Sequence, residues 1–186
     1  MRRSRKTAGL PGASSRPAVG TISAEIAQAR PFSSLEREAA ATLLRTGDVL
    51  RHAVECALRP WGVSPEQYNI LRILRGADAN GLPTLEIAER MLARSPNITR
   101  LIDKMSESGL AERRPMPDDR RVVRVVATAR GRKTLAELDE AIEATLAKLA
   151  PLPPSRLKTL IKLLDDVRGR LAIRTAREAA AIPQQR

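Results

Sequence analysis

The sequence predicts a mainly α-helical chain: two short helices and a two-stranded hairpin make a central lobe, with long helices on either side. Three observations carry that expectation. Phe, Trp and Tyr number one each while hydrophobic residues reach 42%, so the core is aliphatic, a composition that favours helices. Apolar residues recur at spacings of three and four over most of the chain, the mark of amphipathic helices. One stretch breaks the rhythm, RVVRVVAT, which alternates at a period of two as a half-buried strand does.

Residues 1–31 are read as a basic, flexible tail. The opening MRRSRKTAGLPGASSRPAVG is Arg- and Ser-rich with no acid before Glu25, a bias shared with organelle transit peptides. Gly and Pro interrupt any amphipathic helix there, which favours the tail. No stretch approaches the ~20 apolar residues of a membrane span, and the start lacks an apolar signal core.

The domain is expected over residues 32–172. A long helix at about 34–59 begins at Ser33 or Ser34 as N-cap, carries Glu36 and Glu38 at its positive end, and ends at Pro60. Its stripe is Leu43, Leu50, Val54, Ala57 and Leu58. The second helix opens with Ser64 as N-cap, Pro65 at its first position and Gln67 completing a capping box, and closes at Gly76. ADANG is a loop, and LPT is too short to be more than an edge strand.

Thr84 is the expected cap of LEIAERMLA, a helix of about two turns. In the next, ARSPNITRLIDKMSESGL, Ser95 caps, Pro96 takes the first helical position and Gly109 sits where a left-handed C-terminal cap belongs. AERRPM and RVVRVVAT then form a hairpin around PDDR, with Val123, Val125 and Ala127 on one face. Thr128 can cap the helix at about 129–150, which stops at Pro151, and a last helix covers about 154–172. Residues 173–186 are a C-terminal tail that prolongs this helix or frays. The order makes residues 61–130 a winged helix-turn-helix.

Thirty-three Lys and Arg against 21 Asp and Glu give a formal charge of +12. That balance points to a polyanionic partner, duplex nucleic acid before an anionic membrane. Three scattered rings cannot supply the aromatic platforms of RNA-recognition sheets or single-strand grooves. Cys56 is the only cysteine, so no internal disulfide forms, a Cys-ligated zinc finger is excluded, and the usage suits a reducing cytoplasm. With one His, one Cys, no GxSxG and no phosphate-cradling glycine loop, there is no nucleophile-base constellation, and neither an enzyme nor a cofactor or metal is expected.

Within ARSPNITRLIDKMSESGL, Ile98, Leu101, Ile102 and Met105 point inward, leaving Asn97, Thr99, Arg100, Asp103 and Lys104 outside. Asn97, Thr99 and Arg100 fall in the first turn and a half, the part that reaches base edges in the major groove. Ser95 and the free N–H groups at the helix start can hold a phosphate. The hairpin's valine-rich strand is anchored in the lobe, so PDDRR is forced to its solvated tip. There an arginine can enter a narrow minor groove. Asp119, two residues before Arg121, can hold that guanidinium extended.

Asp119, Arg120 and Arg121, followed by Val125, Ala127, Thr128 and Gly131, resemble the wing signature of the MarR family of bacterial transcription regulators, DRRxxxVxLTxxG. The match departs at Ala127, where the family commonly has Leu. SPNITRLIDKMSESGL is similar to the family's recognition helix at Thr99, Arg100, Leu101, Asp103 and the Gly109-Leu110 close. The resemblance runs from about Leu35 to Leu171. It implies a homodimer in which the long helices interlock while two lobes bind a pseudo-palindromic duplex, Arg121 entering the minor groove, Asp119 orienting it and Arg120 meeting a phosphate.

The residues point to a dimer independently. Long helices at both ends carry apolar stripes that one small lobe cannot cover. Members of the family often release DNA when a small aromatic or anionic effector, or an oxidant, acts between the long helices and the lobe, which the resemblance extends to this chain. His52 and Cys56, four apart on the first helix, and Trp61, Tyr68 and Arg72 are the candidate pocket residues. The alternative is a non-catalytic basic helical adaptor that meets acidic protein or membrane surfaces.

Overall fold

The computed structural model describes residues 20–77, 80–93, 96–115, 123–149 and 152–181 of the chain. It divides into two compact units, Met1–His52 and Ala53–Arg186. In the first, a four-residue helix α1 (Ile22–Glu25) lies within the stretch expected to be tail, started by Thr21, whose hydroxyl accepts from the Ala24 amide at 3.4 Å. Helix α2 (Leu35–Leu58) begins as expected after Ser34, whose Oγ accepts from the Arg37 amide. Arg45 pairs with Glu25 and Asp48 at 3.5 and 3.8 Å.

The second unit holds the lobe. A 3₁₀ turn (Arg59–Trp61) uses Pro60 and ends at Gly62 in the left-handed region. Helix α3 (Pro65–Arg75) has the complete capping box: Gln67 N donates to Ser64 Oγ at 3.3 Å, and Ser64 N donates to Gln67 Oε1 at 3.0 Å. Ile70 and Leu71 are fully buried, and α3 packs against the helices and strands that follow.

The sheet has three strands, the expected hairpin and the short edge strand expected in LPT. Strand β1 (Leu82–Pro83) joins β2 (Ala111–Pro115) and β3 (Val123–Ala127) in the order β1-β3-β2, all antiparallel. Val125, fully buried, faces Leu82 on one side and Arg113 on the other. What seats β1 is Gly81, at φ +71°, where a Cβ would lie 2.2 Å from the Val125 carbonyl oxygen.

Helix α4 (Thr84–Arg90) starts one residue earlier than expected. Thr84 is its first residue rather than its cap, Pro83 occupies the cap position, and the Thr84 hydroxyl sits 3.5 Å from Arg113 Nη1 instead. Helix α5 (Ile98–Glu107) starts later: Asn97 is the capping residue without a side-chain cap bond, so Pro96 precedes the helix, and Ser95 lies outside the described residues. Leu58, Ile87, Ile102, Met105, Leu135 and Leu138 complete an aliphatic core, and no polar side chain is buried among the described residues.

Helix α6 (Ala129–Leu149) is capped by Thr128, whose Oγ accepts from the Gly131 amide at 2.9 Å. Helix α7 (Pro154–Ala181) runs past residue 172, where the apolar stripe had set its end. The continuation RTAREAAA is made of strong helix formers and needs no stripe to stay helical. Of its side chains from Pro154 to Ile173, only Leu157 and Leu164 are even partly buried.

Gly131 is the tightest point. A Cβ there would come within 1.9 Å of the Leu110 carbonyl oxygen, with backbone rather than a movable side chain on the other side. Gly131→Ala is therefore expected to lower folding stability by on the order of 1–3 kcal/mol, read as an earlier midpoint in urea denaturation.

Candidate nucleic-acid interface

The outer face of α5 is presented by the way the helix is closed and buried. Its C-terminus is a Schellman arrangement: Gly109, at φ +69°, donates to the Ser106 carbonyl at 3.0 Å and Leu110 to that of Met105 at 2.8 Å. Ile102 and Met105 are fully buried, with Ile98 and Leu101 packed against the core. Asn97, Thr99, Arg100, Asp103 and Lys104 are all exposed, as the spacing predicted. Among the described residues, Arg100 and Lys104 have no ion-pair partner, so two cations on this face are open to phosphate or base edges.

Asp103, the one acid in that group, is spoken for. Arg113 of β2 donates to its Oδ1 at 2.9 Å, and the same guanidinium reaches Thr84 at the start of α4. A carboxylate that would repel a phosphate is thus neutralised, and the pose of α5 is referred to the wing strand and to α4. The connection between α4 and α5 has its own anchor: Asn69 of α3 accepts from the Leu92 amide at 2.8 Å. Neither contact could be read from spacing, because each joins positions on different elements.

The wing is described at its base. Arg113 pairs with Val125, Arg114 with Arg124 and Pro115 with Val123, so the seven residues 116–122 connect two strands in fixed register. Asp119, Arg120 and Arg121 fall in that stretch, outside the described residues.

The helix pair α4–α5, with an exposed cationic face, is thus followed by the two-stranded wing β2–β3, whose inner strand also pairs with β1. The profile of the MarR family matches residues 63–123. The HTH-type transcriptional repressor YetL of Bacillus subtilis (strain 168) is 24% identical over 128 residues, 67% of this chain and 75% of the repressor. A MarR transcription factor from Planctomyces limnophilus is 39% identical, and its solved structure aligns with a TM-score of 0.53 over 73% of this chain and 98% of that one. The chain belongs to the MarR family. Among solved members, CouR from Rhodococcus jostii RHA1, a structure bound to p-coumaroyl-CoA, is 25% identical with a TM-score of 0.63, covering 73% of this chain and 95% of CouR.

In this MarR-family regulator the candidate effector residues each make local contacts of their own. Cys56 is exposed, with Arg59 Nη2 3.4 Å from its sulfur, and His52 is exposed. Among the described residues no group of three His, Cys, Asp or Glu side chains could hold a metal ion, and no helix is long and apolar enough to cross a membrane. Tyr68 and Arg72 are neighbours, the guanidinium lying 5.9 Å from the ring centroid. Trp61 does not plug the core: it is 37% exposed, and its Nε1 donates to Glu137 of α6 at 3.0 Å.

Tyr68 makes the corresponding tie further along. Its hydroxyl donates to Asp139 Oδ1 at 2.7 Å, and Arg75 grips the other carboxylate oxygen. Burial opposes the Asp139 charge, but the bonds from Tyr68 and Arg75 outweigh it and hold the carboxyl below its usual value. Burial, then the Asp139 bond and charge, push the Tyr68 hydroxyl up to about 12. A raised folded-state value stabilises the fold fully below the ordinary value of 10.0, and that contribution is lost as pH rises through about 12. Tyr68 is the only tyrosine, so tyrosinate absorbance reads it directly. The midpoint is expected near 12 in the native protein and near 10 in denaturant.

Proposed function

We propose that the chain is a homodimeric transcription regulator that binds a pseudo-palindromic duplex, α5 in the major groove and the wing tip in the minor groove. The observation that carries this reading is the outer face of α5. Asn97, Thr99, Arg100 and Lys104 stand exposed on a helix pinned at its C-terminus and along its side, the arrangement a base-reading helix needs. Asp119, Arg120 and Arg121 join strands whose register is fixed, and Ser95 precedes the same helix. The +12 formal charge supplies the long-range attraction to phosphate. The action is binding without catalysis, and its place is the cytoplasm.

Dimerisation is supported by uncovered apolar surface. On α2, Leu43, Leu44 and Leu50 are more than two-fifths exposed, and on α7 so are Ile161, Val167 and Leu171. Faces of that extent call for a partner, and a twofold axis makes the half-sites about one helical turn apart. Response to a small aromatic or anionic effector is supported by CouR, solved with a bound aromatic thioester, and by the Tyr68 and Arg72 pair.

Arg100→Ala is expected to weaken operator binding by about 1–3 kcal/mol and relax base preference in the major groove, and Arg121→Ala to lose protection at minor-groove positions. Footprinting on duplexes selected from a random pool checks both, unchanged protection removing the assignment. Sedimentation is expected to give a dimer. Raising salt should weaken binding steeply while the preferred sequence keeps its lead, whereas a basic adaptor would show no sequence preference.

A further inference from the structure

The stretch that precedes α2 builds a groove of its own. Residues 20–34 lie ahead of the family match at 63–123 and ahead of the resemblance, which begins at about Leu35. Ala27 takes the left-handed backbone, at φ 50°, a conformation unfavourable for a residue with a Cβ. The turn is held by the Ala27 amide on the Ala24 carbonyl at 3.3 Å, the Gln28 amide on the Ser23 carbonyl at 2.9 Å, the buried Ile22 and the ion pair of Glu25 with Arg45. Beyond it, the chain and the first turns of α2 enclose a groove of about 620 Å³. Phe32, Ala40, Ala41 and Leu44 give it an apolar lining, with Leu44 75% exposed, and Arg30 and Arg37 add two cations. Among the described residues no acid lines it, and neither guanidinium has an ion-pair partner.

What fits such a groove is a small-residue face that carries acids. Helix α6 has one. Between Lys133 and Lys148 it holds Glu137, Asp139, Glu140 and Glu143 and no base. Glu137 and Asp139 are taken by Trp61, Tyr68 and Arg75. Glu140 and Glu143, about one turn apart, are exposed and have no partner among the described residues, and they share a face with the exposed Ala136, Ala144 and Ala147. Helix α7 matches the groove less well, because its apolar stripe is accompanied by Lys158, Lys162, Arg168 and Arg170.

We propose that the groove before α2 takes the Glu140 and Glu143 face of α6 from a second copy of this chain, Arg30 and Arg37 meeting the two carboxylates and the alanines lying on Phe32 and Leu44. The proposal rests on the homodimer reading and adds to it a contact whose groove half lies outside the family match. A twofold axis makes that contact twice, once in each direction.

The test is sedimentation equilibrium of the full chain at low salt over a dilution series, with two charge-reversed forms. One carries Arg30→Glu and Arg37→Glu, the other Glu140→Lys and Glu143→Lys. Each alone is expected to dissociate at a concentration roughly tenfold or more above that of the native chain, since like charges then face each other at both contacts. Mixed in equal amounts, the two should form a heterodimer of near-native affinity, because one contact is native and the other has both signs exchanged. Raised salt should narrow the differences. If a reversed form loses helix content by circular dichroism, Arg37→Gln and Glu140→Gln replace the reversals in a double-mutant cycle, where their effects on dissociation should fall short of additive. A native chain that stays monomeric overturns the homodimer reading and this contact with it. A native dimer that the reversals leave unchanged, that only one of them weakens or that mixing fails to restore, or additive effects in the cycle, overturns the contact and leaves the dimer standing.

Discussion

One hydroxyl joins the three elements on which the lobe depends. Thr128 Oγ donates to the Gly109 carbonyl at 2.6 Å and accepts from the Gly131 amide at 2.9 Å, while the Thr128 amide donates to the Leu110 carbonyl at 3.2 Å. Gly109 and Leu110 close α5, Thr128 follows β3, and Gly131 lies in the first turn of α6. The end of the proposed recognition helix, the end of the wing and the start of the long helix are therefore one hydrogen-bonded knot. Any Cβ at Gly131 would occupy the space of the Leu110 carbonyl, so this closeness is available only to glycine. Threonine then glycine three residues on is the physical content of the pattern that resembles the wing signature.

Charge is arranged on the same plan. Apart from Tyr68 and Met105 the lobe's buried core is aliphatic, so orientation is left to ion pairs and hydrogen bonds at its margin. Arg113 takes up Asp103, Arg90 takes up Glu86 and Arg75 takes up Asp139. Exposed pairs of this kind contribute little stability, about 0–1 kcal/mol each. Their larger effect here is to silence acids, leaving Arg100 and Lys104 as open cations on α5. Asp103 and Arg113 do both at once, neutralising a carboxylate on the proposed DNA-facing helix and fixing that helix against the wing.

What was legible in the sequence was local chemistry. The Ser64 and Gln67 capping box, the left-handed Gly109, the Thr128 cap and the inward set Ile98, Leu101, Ile102 and Met105 all depend on residues within one or two turns of each other. Thr84 and Ser95 have the right chemistry to cap, but a long-range partner claims the Thr84 hydroxyl, and Asn97 sits in the cap position of α5. The edge strand in LPT was legible as an element, but not its partner, since Val125 lies more than forty residues away. Tyr68 read as a pocket residue; its bond to Asp139, on a helix 71 positions later, has no signal in spacing.

That last contact ties the long helix α6 to the lobe that carries the proposed DNA-facing helix. Trp61 and Tyr68 each hand a hydrogen to an acid on α6, Glu137 and Asp139, and Arg75 adds an ion pair to the second. The turn before α3, its first turn and its last residue are thus fixed to one stretch of α6. The same α6 begins at the Gly131 knot and so cannot shift along its axis without moving the end of α5. In the proposed dimer, where long helices of two chains meet, a change in their packing alters the separation of two α5 helices as rigid parts. If the proposed dimer reads two half-sites, a displacement of this kind would no longer match the spacing the duplex fixes, with no change needed within the outer face of α5.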